Sequence, residues 1–187
     1  MAVGLFPGAR RGRLLAVERG KRVLSGGVEP IAYIQRLTRM YEHLGYPAYQ
    51  WVRNDDRPPF VPLSKPLAEC RLGLIASGGI YAAGQVAFHF KDDTSIRAIP
   101  REAPIASLRT AHFAYDQADA RADPNCVFPL GTLRGLVAEG VLGELASHAY
   151  TFMGGIYSAR RVQEEVAPAL VQRLIDERVD IALLVPV

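Results

Sequence analysis

The feature that most restricts this chain is a set of short, mainly apolar runs, the last of which closes the sequence. After the charged stretch "DERVD" at 176–180 come seven residues without charge, "IALLVPV". A run of this kind predicts a strand over 180–186 buried on both faces, as in the middle of a parallel sheet. Two further runs each enter a Gly-Gly turn, "CRLGLIASGG" at 70–79 and "HAYTFMGG" at 148–155. In "SARRVQEEVAPALVQRLIDER" (158–178), Val162, Val166, Leu170 and Leu174 recur four apart, and Val171 and Ile175 widen the stripe. The pattern predicts a long amphipathic helix with Ser158 as N-cap and a kink at Pro168, which lacks a backbone donor. With the strands on either side it forms a β-α-β unit, for which a right-handed crossover is expected. The fold class that follows is α/β, a Rossmann-like, mainly parallel sheet with helices on both faces. Such sheets carry their chemistry just beyond the carboxyl ends of the strands.

Upstream, "PIAYIQRLTRMYEHL" (30–44) opens on a proline suited to a first helical position, and Ile31, Ile34, Leu37, Tyr41 and Leu44 keep helical spacing. Four prolines in "NDDRPPFVPLSKP" (54–66) make that stretch a linker. "SIRAIP" (95–100) predicts a short strand, "LRTAHFAYD" (108–116) a strand or extended loop, and "PLGTLRGLVAEGVLG" (129–143) a helix stopped at Gly140 or Gly143.

Charge is uneven. Residues 1–28 hold Arg10, Arg11, Arg13, Arg19, Lys21 and Arg22 against Glu18 alone, so within a total of +3 the remainder is slightly negative. The first 28 residues are expected to be a disordered, dispensable basic leader, and 29–187 a single α/β domain. No nucleic-acid partner is expected for that body, since its basic charge rests on the leader. No apolar run is long enough for a membrane span, and nothing in the leader reads as a secretory signal. Cys70 and Cys126 fit neither zinc spacing nor a disulfide framework, so a reducing cytoplasm is the expected location.

"LIASGGIYAAGQ" and "TFMGGIYSAR" share one design: an apolar strand, a Gly-Gly turn, then Ile-Tyr. In a parallel sheet both turns fall on the carboxyl edge, which makes Ser77, Gly78, Gly79, Gly154, Gly155 and Ser158 candidate substrate-binding residues. Glycines admit close approach of a ligand to the amides, and the helix start at Ser158 suits an anion. Plain tight turns fit the same residues, and neither turn matches a Walker loop or a dinucleotide fingerprint. His112 and Asp116 are the candidate catalytic pair, a carboxylate able to fix an imidazole for acid–base work. Against this, four-residue spacing joins them only on a helix, and a histidine bonded to nearby backbone is the plainer reading. No two histidines have ligand spacing, so no metal site is expected. Cys126 precedes a helix start that can depress a thiol pKa, yet a packing role suits it and Cys70 as well.

"PLAECRLGLIASGGIYAAGQ", "SIRAIPREAPIASLRTAHFAYD", "DPNCVFPLGTLRGLVAEGVLGELASHAYTFMGGI" and "VDIALLVPV" together span most of the chain from about residue 60. In order and content they resemble the glycine/sarcosine/betaine reductase selenoprotein B family, which also includes the selenoprotein subunit of D-proline reductase. The likeness is closest to the family's short stand-alone members. Ser77, Gly78, Gly79, His112, Asp116, Gly154 and Gly155 align with blocks near the site that the resemblance implies.

The resemblance implies that the last strand runs into a (Sec/Cys)-x-x-Cys motif opening another helix. The selenolate or thiolate there attacks an activated substrate in thiol-dependent reductive cleavage, its pKa lowered by the helix N-terminus. Within these 187 residues that motif does not occur. A selenocysteine or cysteine pair is therefore expected after Val187, with a UGA codon following, and the domain is taken as C-terminally incomplete and inactive in this form. Besides that pair no cofactor is expected in the chain, only a thiol reductant. Expected partners are a pyruvoyl-bearing reductase subunit, a thioredoxin-like reductant, or a second copy of the chain. The alternative class is a non-catalytic α/β module that binds a small anion or a partner through the glycine-turn edge.

Overall fold

The computed structural model of the protein describes residues 32–48 and 55–187. The expectations for residues 1–28 and for Ile31 lie outside them. Two compact units divide between residues 51 and 52. In the first, the described part is helix α1 (Tyr33–His43), whose residues Ile34, Leu37, Met40 and Tyr41 are exposed.

The second unit runs β1 (Arg71–Ala76), β2 (Ile80–Ala82), β3 (Arg97–Pro100), β4 (Leu108–Thr110), α2 (Ala118–Ala122), α3 (Leu130–Ala138), β5 (Glu144–Leu145) and β6 (His148–Thr151). It continues with α4 (Ala159–Arg161), a π turn (Val162–Val166), α5 (Ala167–Asp176) and β7 (Ile181–Val185). β1 is the centre of a parallel-rich sheet. β5 pairs with its start and β6 with its end on one side, and β7 pairs along it on the other, from Leu72↔Ile181 to Ala76↔Val185, all parallel. β3 closes the β6 side antiparallel. The three mainly apolar runs are thus parallel neighbours, with β1 between β6 and β7, as expected. β2, just past the first Gly-Gly turn, and β4, at the start of the 108–116 stretch for which a strand or extended loop is expected, form a separate antiparallel pair with Ile80 opposite Thr110.

Alternation along β1 splits the core. Leu72, Leu74 and Ala76 pack with Ile99, Phe128, Leu130 and Leu133 on the α3 face. Ile75 packs with Tyr150, Val166 and Leu170 on the α5 face. α3 starts where Oδ1 of Asn125 accepts from the Gly131 amide at 2.9 Å, and the chain leaves it at Gly140 with φ +72°. Ser158 is the N-cap foreseen, its hydroxyl accepting from the Arg161 amide at 3.3 Å. Where a kink was expected, the helix forms the π turn just before Pro168, the wider turn absorbing the place where proline donates nothing.

One expectation is corrected. Among the described residues β7 is an edge strand, paired with β1 alone and not buried on both faces. Ile181, Leu183 and Val185 pack on the α3-side core, whereas Ala182 is exposed and Leu184 is 65% exposed. The physical reason is lateral: α5 lies over Ile75 and Tyr150, and its cover does not reach the outer strand.

Candidate functional site

The carboxyl ends of β1, β6 and β7 meet at one point. The Ser77 amide donates to the Val185 carbonyl at 3.1 Å, and the Ser77 hydroxyl accepts from the Val187 amide at 3.0 Å. From the other turn, the Gly154 amide donates to the Ser77 carbonyl at 2.9 Å, and the Gly79 amide donates to the Phe152 carbonyl at 3.1 Å. Ser77, Gly78, Gly79, Gly154 and Gly155 therefore form one knot of backbone. Gly79 needs its residue type: it sits at φ +67°, and a Cβ would fall 2.2 Å from the Ala111 carbonyl oxygen. Gly154 is close-packed too, a Cβ there meeting the Ser77 Cβ at 3.0 Å. The space the glycines leave is filled by protein, and most of their amides have protein acceptors. Gly155 differs, since its amide donates at 3.1 Å to the thioether of Met153, a weak acceptor that an oxygen can displace. Ser158 stands at the head of the following helix with its hydroxyl used as the cap.

Beside this knot, His112 is 6% exposed and is packed against the rings of Tyr115 (4.7 Å between centroids) and Phe113 (5.9 Å). Nδ1 accepts from the Ala114 amide at 3.1 Å, which assigns the proton to Nε2. Nε2 is buried and has no hydrogen-bond partner. Burial lowers the pKa of His112, so near neutral pH the ring is an uncharged donor. Phe113 links the two under-used donors: its ring is 3.1 Å from where a Gly155 Cβ would be.

Asp116 is exposed and accepts from the Ala118 amide at 2.9 Å, in the turn that leads into α2. Among the described residues no hydrogen bond joins it to His112. The expected pair is not brought together, because the segment is a loop and helical spacing does not apply; the Ala114 amide fixes the tautomer instead. Residues that sequence reasoning passed over hold the first turn in place. The Tyr115 hydroxyl donates to the Gly78 carbonyl at 2.9 Å and lies 3.0 Å from Thr110 Oγ1. Fully buried Thr151 accepts from the Ile80 amide at 3.2 Å. The signal in the sequence is a threonine at the end of β4 and of β6 and a tyrosine in the loop after β4.

Neither cysteine joins the knot by hydrogen bond. Cys70 is fully buried with Sγ 3.3 Å from the Pro66 carbonyl, and Cys126 is exposed at the end of a single 3-10 turn. No group of three or more His, Cys, Asp or Glu among the described residues can hold a metal, and no described helix is long and apolar enough to cross a membrane. A cavity of about 420 Å³ opens at the other edge of the sheet, lined by Arg101, Arg134 and Glu144 among others. Those arginines already donate to the Leu145, Arg101 and Ala103 carbonyls, which gives them a structural role at the strands' amino ends.

A family described as glycine/sarcosine/betaine reductase selenoprotein B matches residues 46–186. D-proline reductase subunit gamma of Acetoanaerobium sticklandii is 32% identical over 127 residues, 68% of this chain and 52% of the relative. Glycine reductase complex component B subunit gamma of Symbiobacterium thermophilum is 28% identical over 171 residues, 86% of this chain and 40% of the relative. Sarcosine reductase complex component B subunit beta of Peptoclostridium acidaminophilum is 29% identical over 108 residues, 53% of this chain and 24% of the relative. The chain thus spans about half the length, or less, of the curated relatives it matches. No solved structure matches. The family match covers the whole α/β unit from before β1 to the last residues of β7, and on it the chain belongs to the glycine/sarcosine/betaine reductase selenoprotein B family.

Proposed function

We propose that this α/β unit is the substrate-holding part of a reductase-complex subunit, taking the carboxylate or carbonyl oxygen of a small amino-acid-like substrate at the carboxyl edge of its Rossmann-like sheet. The observation that carries the reading is His112. A buried N–H without an acceptor costs about 1–3 kcal/mol, and a site that binds an oxygen recovers that cost. The Gly155 amide is the second donor, released when the ligand replaces the Met153 thioether. Phe113 is half-exposed, stacks on the His112 ring and lies 3.1 Å from where a Gly155 Cβ would be, so a ligand that reaches both donors must displace it.

The thiol-dependent cleavage that the family resemblance implies needs a selenol or thiol nucleophile. Cys70 is buried and Cys126 has no neighbouring thiol, so the reading assigns this role to a Sec/Cys-x-x-Cys segment following Val187. Any residue joined to Val187 begins beside the Ser77 hydroxyl and hence beside the glycine knot. A pyruvoyl-bearing subunit to activate the substrate and a thioredoxin-like reductant complete the proposed assembly, in the cytoplasm.

The test compares the 187-residue chain with a version extended by Cys-x-x-Cys and the following segment. Dithiol-driven cleavage of D-proline, glycine, sarcosine or betaine is expected only from the extended chain with its partner subunits. Binding of the same compounds, followed through the His112 ring resonances, is expected from both. Binding by both without turnover would favour the non-catalytic module, and no perturbation of His112 by any of them would end the binding assignment.

A further inference from the structure

Residues 83–96, between β2 and β3, lie in neither helix nor strand, and a structureless loop of that length inside a compact domain is usually functional. Its base is fixed: Phe88 is buried, the Arg97 guanidinium sits 4.3 Å from the centre of its ring, and Arg97 Nε donates to the Val86 carbonyl at 2.8 Å. Its tip, 89–95, is braced on itself. The Asp93 carboxylate accepts from the His89 amide at 2.7 Å and from the Ser95 amide at 2.9 Å, and His89 Nδ1 accepts from the Lys91 amide at 3.1 Å. Among the described residues, no backbone–backbone hydrogen bond involves 86–94. A tip bonded within itself and joined to the body only through side chains can move as one piece.

Two sets of contacts seat this tip. Phe90 meets Phe113 edge to face, with ring centroids 6.4 Å apart. Phe113 in turn stacks on His112, so the loop carries the outer ring of a row whose innermost member holds the unpartnered Nε2. On the other side, the Asp92 carboxylate accepts from the Tyr157 amide at 2.7 Å. Arg161 donates to the Asp92 carbonyl and to Thr94 Oγ1, both at 2.8 Å. Tyr157 is two residues past Gly155, so the tip is tied to the same turn that supplies the second donor. Asp92 makes these bonds at φ +45°, a left-handed backbone unfavourable for a residue with a Cβ. The bonds hold that strain, and their release relieves it.

We propose that residues 89–95 are a lid over the His112–Gly155 site, latched shut by Asp92 and Arg161 and opened by release of that latch. In the closed state Phe90 holds Phe113 against His112 and Gly155, and water is kept from both donors. In the open state Phe113 loses its outer support and turns aside, and a small ligand oxygen reaches Nε2. The same motion takes the Asp92 carboxylate off the Tyr157 amide, removing a negative charge from the turn that receives the ligand. The proposal rests on the reading of His112 and Gly155 as the ligand's donors and adds how they are reached.

The first arm of the test uses the full chain without ligand. Carbethoxylation of His112 by diethyl pyrocarbonate, located by peptide mass mapping, should be slow in the native chain. Arg161→Gln, which loses charge-assisted bonds to the loop, should speed it roughly tenfold or more. Asp92→Ala keeps the backbone strain without the carboxylate and should do the same, whereas Asp92→Asn keeps an acceptor oxygen and should stay near the native rate. The thiol of buried Cys70 is the internal control, and its reactivity should not change. If Cys70 reacts faster too, the variant has loosened globally, and Phe90→Ala, at an exposed position, decides by the same two readouts. Fast labelling of His112 in the native chain, or no acceleration in the variants, overturns the lid. In the second arm, D-proline and betaine are added and the His112 resonances followed, with faster binding and release expected in Arg161→Gln. Accelerated labelling without any perturbation by either compound would end the binding reading while supporting the lid.

Discussion

The Tyr150 hydroxyl donates to Glu177 Oε1 at 2.5 Å, tying the middle of β6 to the residue that ends α5. The same carboxylate accepts from the Ser147 and His148 amides. One side chain thus satisfies the start of a strand and anchors the crossover helix above it. Burial alone would raise the pKa of Glu177, but these donors outweigh it and hold the carboxyl below its ordinary value. Burial and the neighbouring carboxylate push the Tyr150 phenol up, so it remains a donor across the working pH range.

Glu177→Ala leaves a phenol and two amides without their acceptor and should destabilise the fold by about 2–3 kcal/mol. Tyr150→Phe should cost less, because the two amides keep their carboxylate. Denaturant unfolding of both variants and their combination should give a clearly non-additive cycle. With the folded pKa of Glu177 depressed, its contribution is present above the unfolded value and is lost as pH falls through the folded one. Glu177→Gln should flatten that part of the acid-side profile.

Gly79→Ala combines a left-handed backbone with a Cβ 2.2 Å from a carbonyl oxygen, and should cost about 3 kcal/mol or more. Gly84 is the control. Its φ is +94° with nothing within 4 Å of a Cβ, so Gly84→Ala should cost only about 1 kcal/mol of backbone strain. Equal effects in urea titrations would show that the Gly79 turn relaxes freely.

His112 predicts a pH dependence of opposite chemical origin to that of Glu177 and the same sign. Its ordinary value is 6.5 and burial lowers it in the folded state. As pH falls below 6.5 the unfolded chain takes the proton first, so stability declines until pH passes the folded value. His112→Gln should remove this slope between mildly acidic and neutral pH in thermal melts, while keeping an N–H donor for the ligand oxygen. His112→Leu should remove both the slope and the binding.

The two thiols should differ in reactivity. Cys126 is exposed and Cys70 is fully buried, so a chromogenic disulfide reagent should titrate one thiol quickly in the native chain and the second only after unfolding. Cys126→Ser should leave ligand perturbation of His112 unchanged. Loss of that perturbation would bring Cys126 into the site.

The sheet was legible where side-chain pattern alone decides. Uncharged runs around Leu74, Tyr150 and Leu183 became parallel neighbours, Ser158 capped its helix, and Gly140 ended α3. What failed to show was whatever depends on lateral position. An uncharged run such as 181–187 reads the same whether its outer face meets a helix or open solvent, so β7 was taken for an interior strand. The His112–Asp116 pairing failed for a related reason, since proximity over four residues holds only in a helix and the chain there is a loop. The Tyr115 and Thr110 hydroxyls stand out in the sequence as polar groups, but their target, the Gly78 carbonyl, does not, because it is a backbone atom distant in sequence.

The π turn at Val162–Val166 is in effect an inserted residue, and an insertion in a helix is a change of phase. The residues before it are rotated by roughly 100° relative to an uninterrupted α-helix. That rotation sets the direction of Arg161, whose guanidinium donates to the Asp92 carbonyl and to Thr94 Oγ1, both at 2.8 Å, while Val166 and Leu170 stay seated on the sheet. Deleting Gln163 would restore the regular spiral and swing Arg161 off the 92–94 loop. An irregularity that looks like a flaw in the helix is therefore what lets one element grip a loop at its head and a sheet along its length.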